Sequence, residues 1–188
     1  MVIRNLLRVC AALLLGLAFL AGTGAPASAT PASDASSAVR TVRYDASRAA
    51  EFRAAVDEGA RIWNERVSNV QLVPGSPADV IVLADDGWPR ARVTGLGRGT
   101  IWMGRQAVWD GHYTVRIASH ELGHILGLPD RRTGRCTDLM SGASAGTSCR
   151  NPNPNAAEIA EVEDNFRYGR TRVAPGITLT EAPAPAAR

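Results

Sequence analysis

Two histidines and a glutamate at helical spacing could hold a metal ion and use it for hydrolysis. His120 and His124 lie four residues apart in S-H-E-L-G-H-I-L-G-L-P-D, so on a helix both imidazoles face the same side, one turn apart. Glu121 follows the first histidine, where a carboxylate can act on a water molecule at the metal instead of binding the metal. This H-E-x-x-H pattern is typical of zinc sites that hydrolyse peptide bonds.

The residues after the second histidine predict a turn that brings in a third ligand. Gly127 stands where a helix commonly ends in a left-handed residue, a conformation that glycine adopts at little cost. Pro129 prevents the helix from continuing, so Asp130 can fold back towards the histidines. Two imidazoles and a carboxylate leave a fourth position open for water, which is the arrangement of a catalytic zinc site.

The motif H-E-L-G-H-I-L-G-L-P-D resembles the zinc motif of the metzincins in the variant with aspartate as third ligand. That variant marks the snapalysin family of small secreted bacterial neutral proteases. The resemblance covers roughly residues 39–169, including R-I-W-N-E-R-V-S-N-V-Q-L near Trp63, T-D-L-M-S-G around Met140 and S-C-R-N-P-N-P-N-A after it. It implies an α/β (α+β) domain with a twisted mixed sheet and about three helices. The cleft would lie between a larger N-terminal and a smaller C-terminal subdomain.

The resemblance also implies an activity and roles for individual residues. The chain would be a zinc endopeptidase that hydrolyses proteins or peptides and prefers an aromatic residue just after the cleaved bond. One zinc ion would be bound by His120, His124 and Asp130, and Glu121 would move the proton from water to the leaving amine. Met140 would form the methionine turn, a hydrophobic floor below the metal.

Two positions depart from the family pattern. Family members commonly carry a tyrosine two residues after the third ligand, suited to stabilising the oxyanion, and Arg132 occupies that place here. Its guanidinium is a candidate for the same electrostatic role. The resemblance further implies a calcium site near the start of the zinc helix, where Asp110 and Thr114 are the only side-chain oxygens expected. Calcium takes six or more oxygens, so this ion stays unassigned.

Two other hypotheses stay open, the first of them because of the departure at Arg132. One is a zinc-bound secreted protein that binds peptides with weak or no hydrolysis, and the retained Glu121 argues against it. The other is a structural or interaction protein of the cell envelope that acts through its Pro-rich tail. It would require the zinc ligands to be dispensable.

Segments at both ends predict export and processing. Residues 1–29 are typical of a signal peptide, with Arg4 and Arg8 before an apolar run too short to span a bilayer. Residues 30–38 are expected to be a short pro-segment or flexible start, and the protease domain would fill residues 39–169. Residues 170–188, rich in Pro and Ala, indicate a disordered or processable tail. We expect a secreted monomer without a membrane segment after cleavage.

Charge and cysteine content agree with an extracellular protein. The formal net charge is +3 over 188 residues. The arginines are scattered along the chain and form no basic patch of the kind that binds nucleic acid. Cys136 and Cys149 are the cysteines left after the signal peptide. In an oxidising compartment such a pair predicts a disulfide, which would brace the loop carrying Met140.

Hydrophobic periodicity predicts the elements that position these residues. The zinc helix is expected over Tyr113–Leu126, and Asn155–Arg167 is predicted as a helix with a capping box formed by Asn155 and Glu158. His112 lies outside the motif and is expected on the surface. Residues 85–99 suggest a glycine-rich loop, followed by a short strand over Thr100–Met103. The resemblance to the metzincins implies that this is an edge strand that lines the cleft and pairs with substrate.

Overall fold

The computed structural model of the chain describes residues 38–181. The predicted signal peptide and all but the last residue of the predicted pro-segment lie outside these residues. In the described part of the chain, no helix is long and apolar enough to cross a membrane.

A six-stranded mixed sheet forms the framework of the molecule. Its strands are β1 Arg40–Arg48, β2 Val70–Pro74, β3 Val80–Asp85, β4 Arg90–Gly95, β5 Arg98–Gly104 and β6 Thr178–Thr180. They lie in the order β2-β1-β3-β5-β4-β6. The first four strands in this order are parallel, whereas β4 runs antiparallel to both β5 and β6. The mixed sheet with its helices confirms the predicted α/β class.

Four α-helices surround the sheet: α1 Arg53–Asn64, α2 Arg105–Trp109, α3 Thr114–Ile125 and α4 Ala156–Tyr168. Helix α1 packs on α3 through Trp63, which is fully buried and donates a 2.8 Å hydrogen bond from Nε1 to the carbonyl of Ser119. The Asn155 side chain caps α4 and Glu158 completes the predicted capping box. These contacts fix α3, the helix with both motif histidines, against the core.

The predicted loop over residues 85–99 and the predicted edge strand are both wrong. Residues 90–95 form β4, in which Ala91 and Val93 point into the core and arginines alternate with them. Alternation of this kind forms a strand, and the surrounding glycines hid it in the sequence. Thr100–Met103 belongs to β5, which lies between β3 and β4 and therefore has no free edge.

The C-terminal segment also differs from its prediction. A disordered tail was expected over residues 170–188, but residues 170–181 are packed on the domain. Val173 is buried in the core, β6 pairs with β4, and Glu181 is 5 % exposed. Residues 182–188 lie outside the described residues.

Candidate metal centre

Helix α3 and the turn after it bring the three predicted ligands together. His120 and His124 are buried with ring centroids 4.5 Å apart. Gly127 has φ +95°, a left-handed conformation that ends the helix as the sequence predicts. The chain then returns so that Oδ1 of Asp130 lies 3.3 Å from Nε2 of His120 and 3.6 Å from Nε2 of His124.

Backbone carbonyls hold both imidazoles in the orientation that a metal requires. Nδ1 of His120 lies 3.0 Å from the carbonyl oxygen of Leu139, and Nδ1 of His124 lies 2.8 Å from that of Leu128. A carbonyl oxygen only accepts, so each ring donates from Nδ1–H and keeps the lone pair of Nε2 for a metal ion. The fold therefore sets the tautomer of both rings.

A second carboxylate joins the three predicted ligands from an unexpected part of the chain. Oε1 of Glu181, just after β6, lies 2.8 Å from Nε2 of His120. One ligand atom each from His120, His124, Asp130 and Glu181 lies within 4.8 Å of the other three. The sequence analysis missed Glu181 because Pro and Ala dominate its surroundings. The alternating G-I-T-L-T-E that ends in it was the signal for a strand.

The donor set fits a tetrahedral zinc ion. Nε2 of both histidines, Oδ1 of Asp130 and Oε1 of Glu181 are buried and have no hydrogen-bond partner outside this group of four within residues 38–181. Zinc binds nitrogen and carboxylate oxygen at about 2.0–2.2 Å, so tetrahedral ligand atoms lie about 3.3–3.5 Å apart. The distances from Asp130 to the two histidines match that spacing.

Glu121 is placed beside the four ligand atoms but is not one of them. Its side chain is fully buried and neither carboxylate oxygen has a hydrogen-bond partner among the described residues. Burial raises the pKa of Glu121 well above its usual range, and the charges of Glu181 and Asp130 add to the effect. A carboxyl group with a raised pKa takes up a proton readily, which suits a general base.

The two histidines have opposite electrostatic surroundings. Burial lowers the pKa of His120, but the carboxylates of Glu181 and Asp130 outweigh it and hold that pKa well above its usual value. Burial and the neighbouring His120 lower the pKa of His124 to about 4. The difference arises because Nε2 of His120 lies 2.8 Å from Glu181 and 3.3 Å from Asp130, whereas Nε2 of His124 lies 3.6 Å from Asp130.

Met140 packs under α3, where the methionine turn is expected. It is fully buried in a 3₁₀ segment, Leu139–Ala145, and its main-chain N–H donates a 2.8 Å hydrogen bond to Glu158. A Cβ atom on Gly123 would lie 2.7 Å from the Met140 sulfur and 3.3 Å from the Trp63 ring. Glycine at 123 therefore permits the close approach of α3 to Met140.

We expect Gly123→Ala to destabilise the protein by about 1–3 kcal/mol, the usual effect of overpacking a core. The added methyl group meets the Met140 sulfur, and His124 is the next residue, so zinc affinity should fall as well. Urea unfolding of the zinc-loaded and zinc-free proteins measures both effects. Ala118→Gly, a buried change on the same helix, controls for altered helix propensity, and equal stability of Gly123→Ala and wild type would contradict this packing.

A disulfide and a buried arginine brace the loop that carries Met140. Cys136 and Cys149 form the predicted disulfide, with Cα atoms 5.4 Å apart. The guanidinium of Arg116, on α3, donates to the carbonyls of Asn151 and Asp138 at 2.6 and 2.7 Å. The zinc helix and the methionine turn are therefore tied together by polar contacts as well as by packing.

Arg132 lies beside the metal centre, in contact with a ligand and with β6. Its Nη2 atom is 3.3 Å from Oδ2 of Asp130 and donates a 2.8 Å hydrogen bond to the carbonyl of Thr180. The guanidinium thus holds the third ligand and the C-terminal strand in this structure. Its predicted role at the oxyanion stays a prediction.

A small, partly open pocket lies next to His120 and Glu181. Trp88, His112, Tyr113 and Ile117 supply most of its apolar and aromatic lining. His112, expected on the surface, is half-buried in this wall. An apolar and aromatic wall therefore lies directly beside the metal centre.

The structure adds nothing to the calcium prediction. Asp110 is exposed and accepts a hydrogen bond from Gln106. In residues 38–181 the one group of three or more His, Cys, Asp or Glu residues placed for a metal is that around His120. Neither Asp110 nor Thr114 belongs to it.

Comparisons with known proteins identify the family of the chain. Residues 38–169 match the model of the Streptomyces extracellular neutral proteinase (M7) family. The extracellular small neutral protease of Streptomyces caespitosus is 43 % identical over 131 residues, which cover 69 % of this chain and 98 % of the relative. Proteases of the same name from Streptomyces sp. (strain C5) and Streptomyces coelicolor are 40 % and 41 % identical over 71 % of this chain, but it spans only 59 % and 63 % of their lengths.

Two solved zinc-protease-like structures resemble the chain more distantly. The hatching enzyme HCE-1 of Oryzias latipes gives a TM-score of 0.37 at 19 % identity, covering 53 % of this chain and 49 % of that one. Archaemetzincin from Methanopyrus kandleri gives 0.44 at 14 % identity, covering 71 % and 98 %. The family match and the sequence relatives show, without these structures, that the chain belongs to the Streptomyces extracellular neutral proteinase (M7) family and is a metalloendopeptidase.

Proposed function

We propose that this metalloendopeptidase binds one zinc ion through His120, His124 and Asp130 and hydrolyses proteins outside the cell. The observation that carries the proposal is the convergence of three buried, unsatisfied ligand atoms at tetrahedral spacing beside the buried carboxylate of Glu121. The extracellular relatives and the signal-like start of the sequence support secretion.

The residues of the chain have distinct tasks in this reaction. Zinc, when bound, would lower the pKa of a water molecule and polarise the scissile carbonyl. Glu121 takes a proton from the attacking water and returns it to the leaving amine. The carbonyls of Leu139 and Leu128 keep Nε2 of each histidine aimed at the metal. Asp130 adds a negative charge that a third histidine would lack.

The cavity beside the metal centre supports a preference for an aromatic residue just after the cleaved bond. Trp88, Tyr113 and Ile117 line a space adjacent to His120. An aromatic side chain buries 150–250 Å² of surface and dominates the energetics of such pockets. A substrate with its scissile carbonyl at the metal would place its next side chain there.

We expect peptides with Phe or Tyr just after the cleaved bond to be hydrolysed about tenfold or more faster than peptides with Ala there, since burying one large side chain is worth more than 1 kcal/mol. Mass spectrometry of peptide mixtures digested by wild type and by Glu181→Ala locates the cleaved bonds. The zinc chelator 1,10-phenanthroline is the control. Cleavage without regard to the following residue would contradict the aromatic preference.

The alternative is a zinc-bound secreted protein that binds peptides with weak or no hydrolysis. Two observations favour it: Arg132 stands where the family commonly has a tyrosine, and Glu181, just after β6, lies 2.8 Å from Nε2 of His120. Under this alternative, both wild type and Glu181→Ala would bind zinc and peptide but cleave nothing.

A further inference from the structure

We propose that residues 176–181 are an internal ligand of the active site, in which β6 occupies the place of a substrate strand and Glu181 provides the fourth ligand to the metal. This inference rests on the function proposed above and adds how the site is controlled. The segment would have to leave before a substrate can bind.

The position of β6 on the sheet supports its assignment as a substitute for a substrate strand. Without it, β4 would have a free edge next to the metal centre, because the other side of β4 is taken by β5. Strand β6 covers that edge, pairing Thr178, Leu179 and Thr180 with Arg92, Ala91 and Arg90 in antiparallel register. Proteins commonly bind extended peptides by adding them as a strand to such an edge.

The pairing extends at both ends of β6 and leads into the metal centre. Val93 exchanges main-chain hydrogen bonds with the segment, donating to Ile177 at 3.1 Å and accepting from Gly176 at 2.7 Å. At the other end, the Glu181 N–H donates to the carbonyl of Pro89 at 2.9 Å. Residues 178–180 thus lie where the residues before a scissile bond would bind, and the cavity lies just beyond them.

The contacts of the Glu181 carboxylate support its assignment as a metal ligand. Its side chain is 7 % exposed, and Oε1 lies 2.8 Å from Nε2 of His120. Oε2 accepts a hydrogen bond from the main-chain N–H of Ala143. A Cβ atom at Gly142 would overlap this carboxylate. The methionine-turn segment therefore provides both a donor and a space without a side chain for Glu181.

A metal ion that also bound Glu181 would have no open position for water. A zinc site with three protein ligands keeps its fourth position for water, whereas a site with four protein ligands is closed. With a metal held by His120, His124 and Asp130, Glu181 would supply a fourth ligand and so exclude the water on which Glu121 would act. Arg132 is engaged too, because its Nη2 donates to the carbonyl of Thr180.

Most side chains of the segment lie at the surface, and Leu179 packs against the core while only partly buried. Ile177 is 45 % exposed, and of the segment's side chains only that of Glu181 is buried. Val173, in the core, anchors the chain just before it. The family match ends at residue 169, so the segment lies beyond the matched protease domain.

Cobalt in place of zinc tests the ligand directly, because its visible absorption reports the coordination sphere. We expect Glu181→Ala and Glu181→Gln to change the cobalt spectrum of the full chain and to speed zinc transfer to a chelator about tenfold or more. Thr178→Ala, an exposed change on β6, is the matched control and should leave both unchanged. A Glu181→Ala spectrum and transfer rate equal to wild type would overturn the proposal.

Two further measurements follow the strand itself. Amide hydrogen exchange of β4 should rise in Glu181→Ala, since β6 loses its anchor, and kcat/KM for peptide hydrolysis should rise about tenfold or more. Unchanged exchange with unchanged kcat/KM would contradict occupation of the substrate edge. Altered cobalt spectra without hydrolysis by either chain would support Glu181 as a ligand and contradict the proposed protease function, so the two failures are distinguishable.

Discussion

Glu121→Gln is expected to lower kcat/KM for peptide hydrolysis by about 10²–10⁴-fold, the usual contribution of a positioned general base. Glutamine has nearly the same shape, so the buried space beside His120 stays filled, but an amide does not accept the proton from water. Zinc content should remain at that of wild type, because no oxygen of Glu121 belongs to the group of four ligand atoms. Steady-state kinetics with a fluorogenic peptide and metal analysis of the same samples measure both quantities.

The comparison should be made in wild type and in the Glu181→Ala background, so that occupation of the cleft does not mask the effect. Glu65→Gln, a change at an exposed residue directly after α1, controls for the loss of one negative charge. A Glu121→Gln protein with more than a tenth of wild-type kcat/KM would remove Glu121 from the role of base.

Asp130→Ala should have the second large effect, loss of the metal. Removing a residue that only orients a ligand weakens metal binding about 10–100-fold, and we expect removal of the ligand itself to exceed that range. Hydrolysis should disappear at zinc concentrations that saturate wild type. Competition with a chelator of known affinity gives the zinc dissociation constants.

Asp164→Ala, an exposed aspartate change on α4, is the matched control and should bind zinc as wild type does. The variant also separates the two carboxylates at the site. If Asp130→Ala kept wild-type zinc affinity while Glu181→Ala lost it, the third permanent ligand would be Glu181, and the proposed open site would be wrong.

The predicted metal group depends on local chemistry, which is why the sequence revealed so much of it. The spacing of His120 and His124 is a property of one helix, and Gly127 and Pro129 are breakers that act within a few residues. The structure brings these histidines and Asp130 together through that turn. The capping box at Asn155 is equally local, and it too was confirmed.

The parts that were missed depend on pairing between distant segments. Strand β4 is short, and its alternation of Ala91 and Val93 with arginines lies among glycines that indicate a loop. Whether β5 is an edge strand cannot be read from its own residues, because the answer depends on β4 beside it. β6 and Glu181 come about 90 residues after the β4 edge they cover, and the alternation that ends in Glu181 is too short to outweigh the Pro and Ala residues around it.

The measurement that tests the central claim most directly is casein hydrolysis by the full chain as zinc is removed and returned. The chain, in wild-type and Glu181→Ala forms, would be stripped with a chelator, dialysed and titrated with zinc while bound metal and hydrolysis are both recorded. We predict that hydrolysis disappears with the metal and returns in proportion to bound zinc, saturating at one ion per chain. Hydrolysis that persists in the metal-free protein, or its absence from both forms with zinc fully bound, would contradict the account.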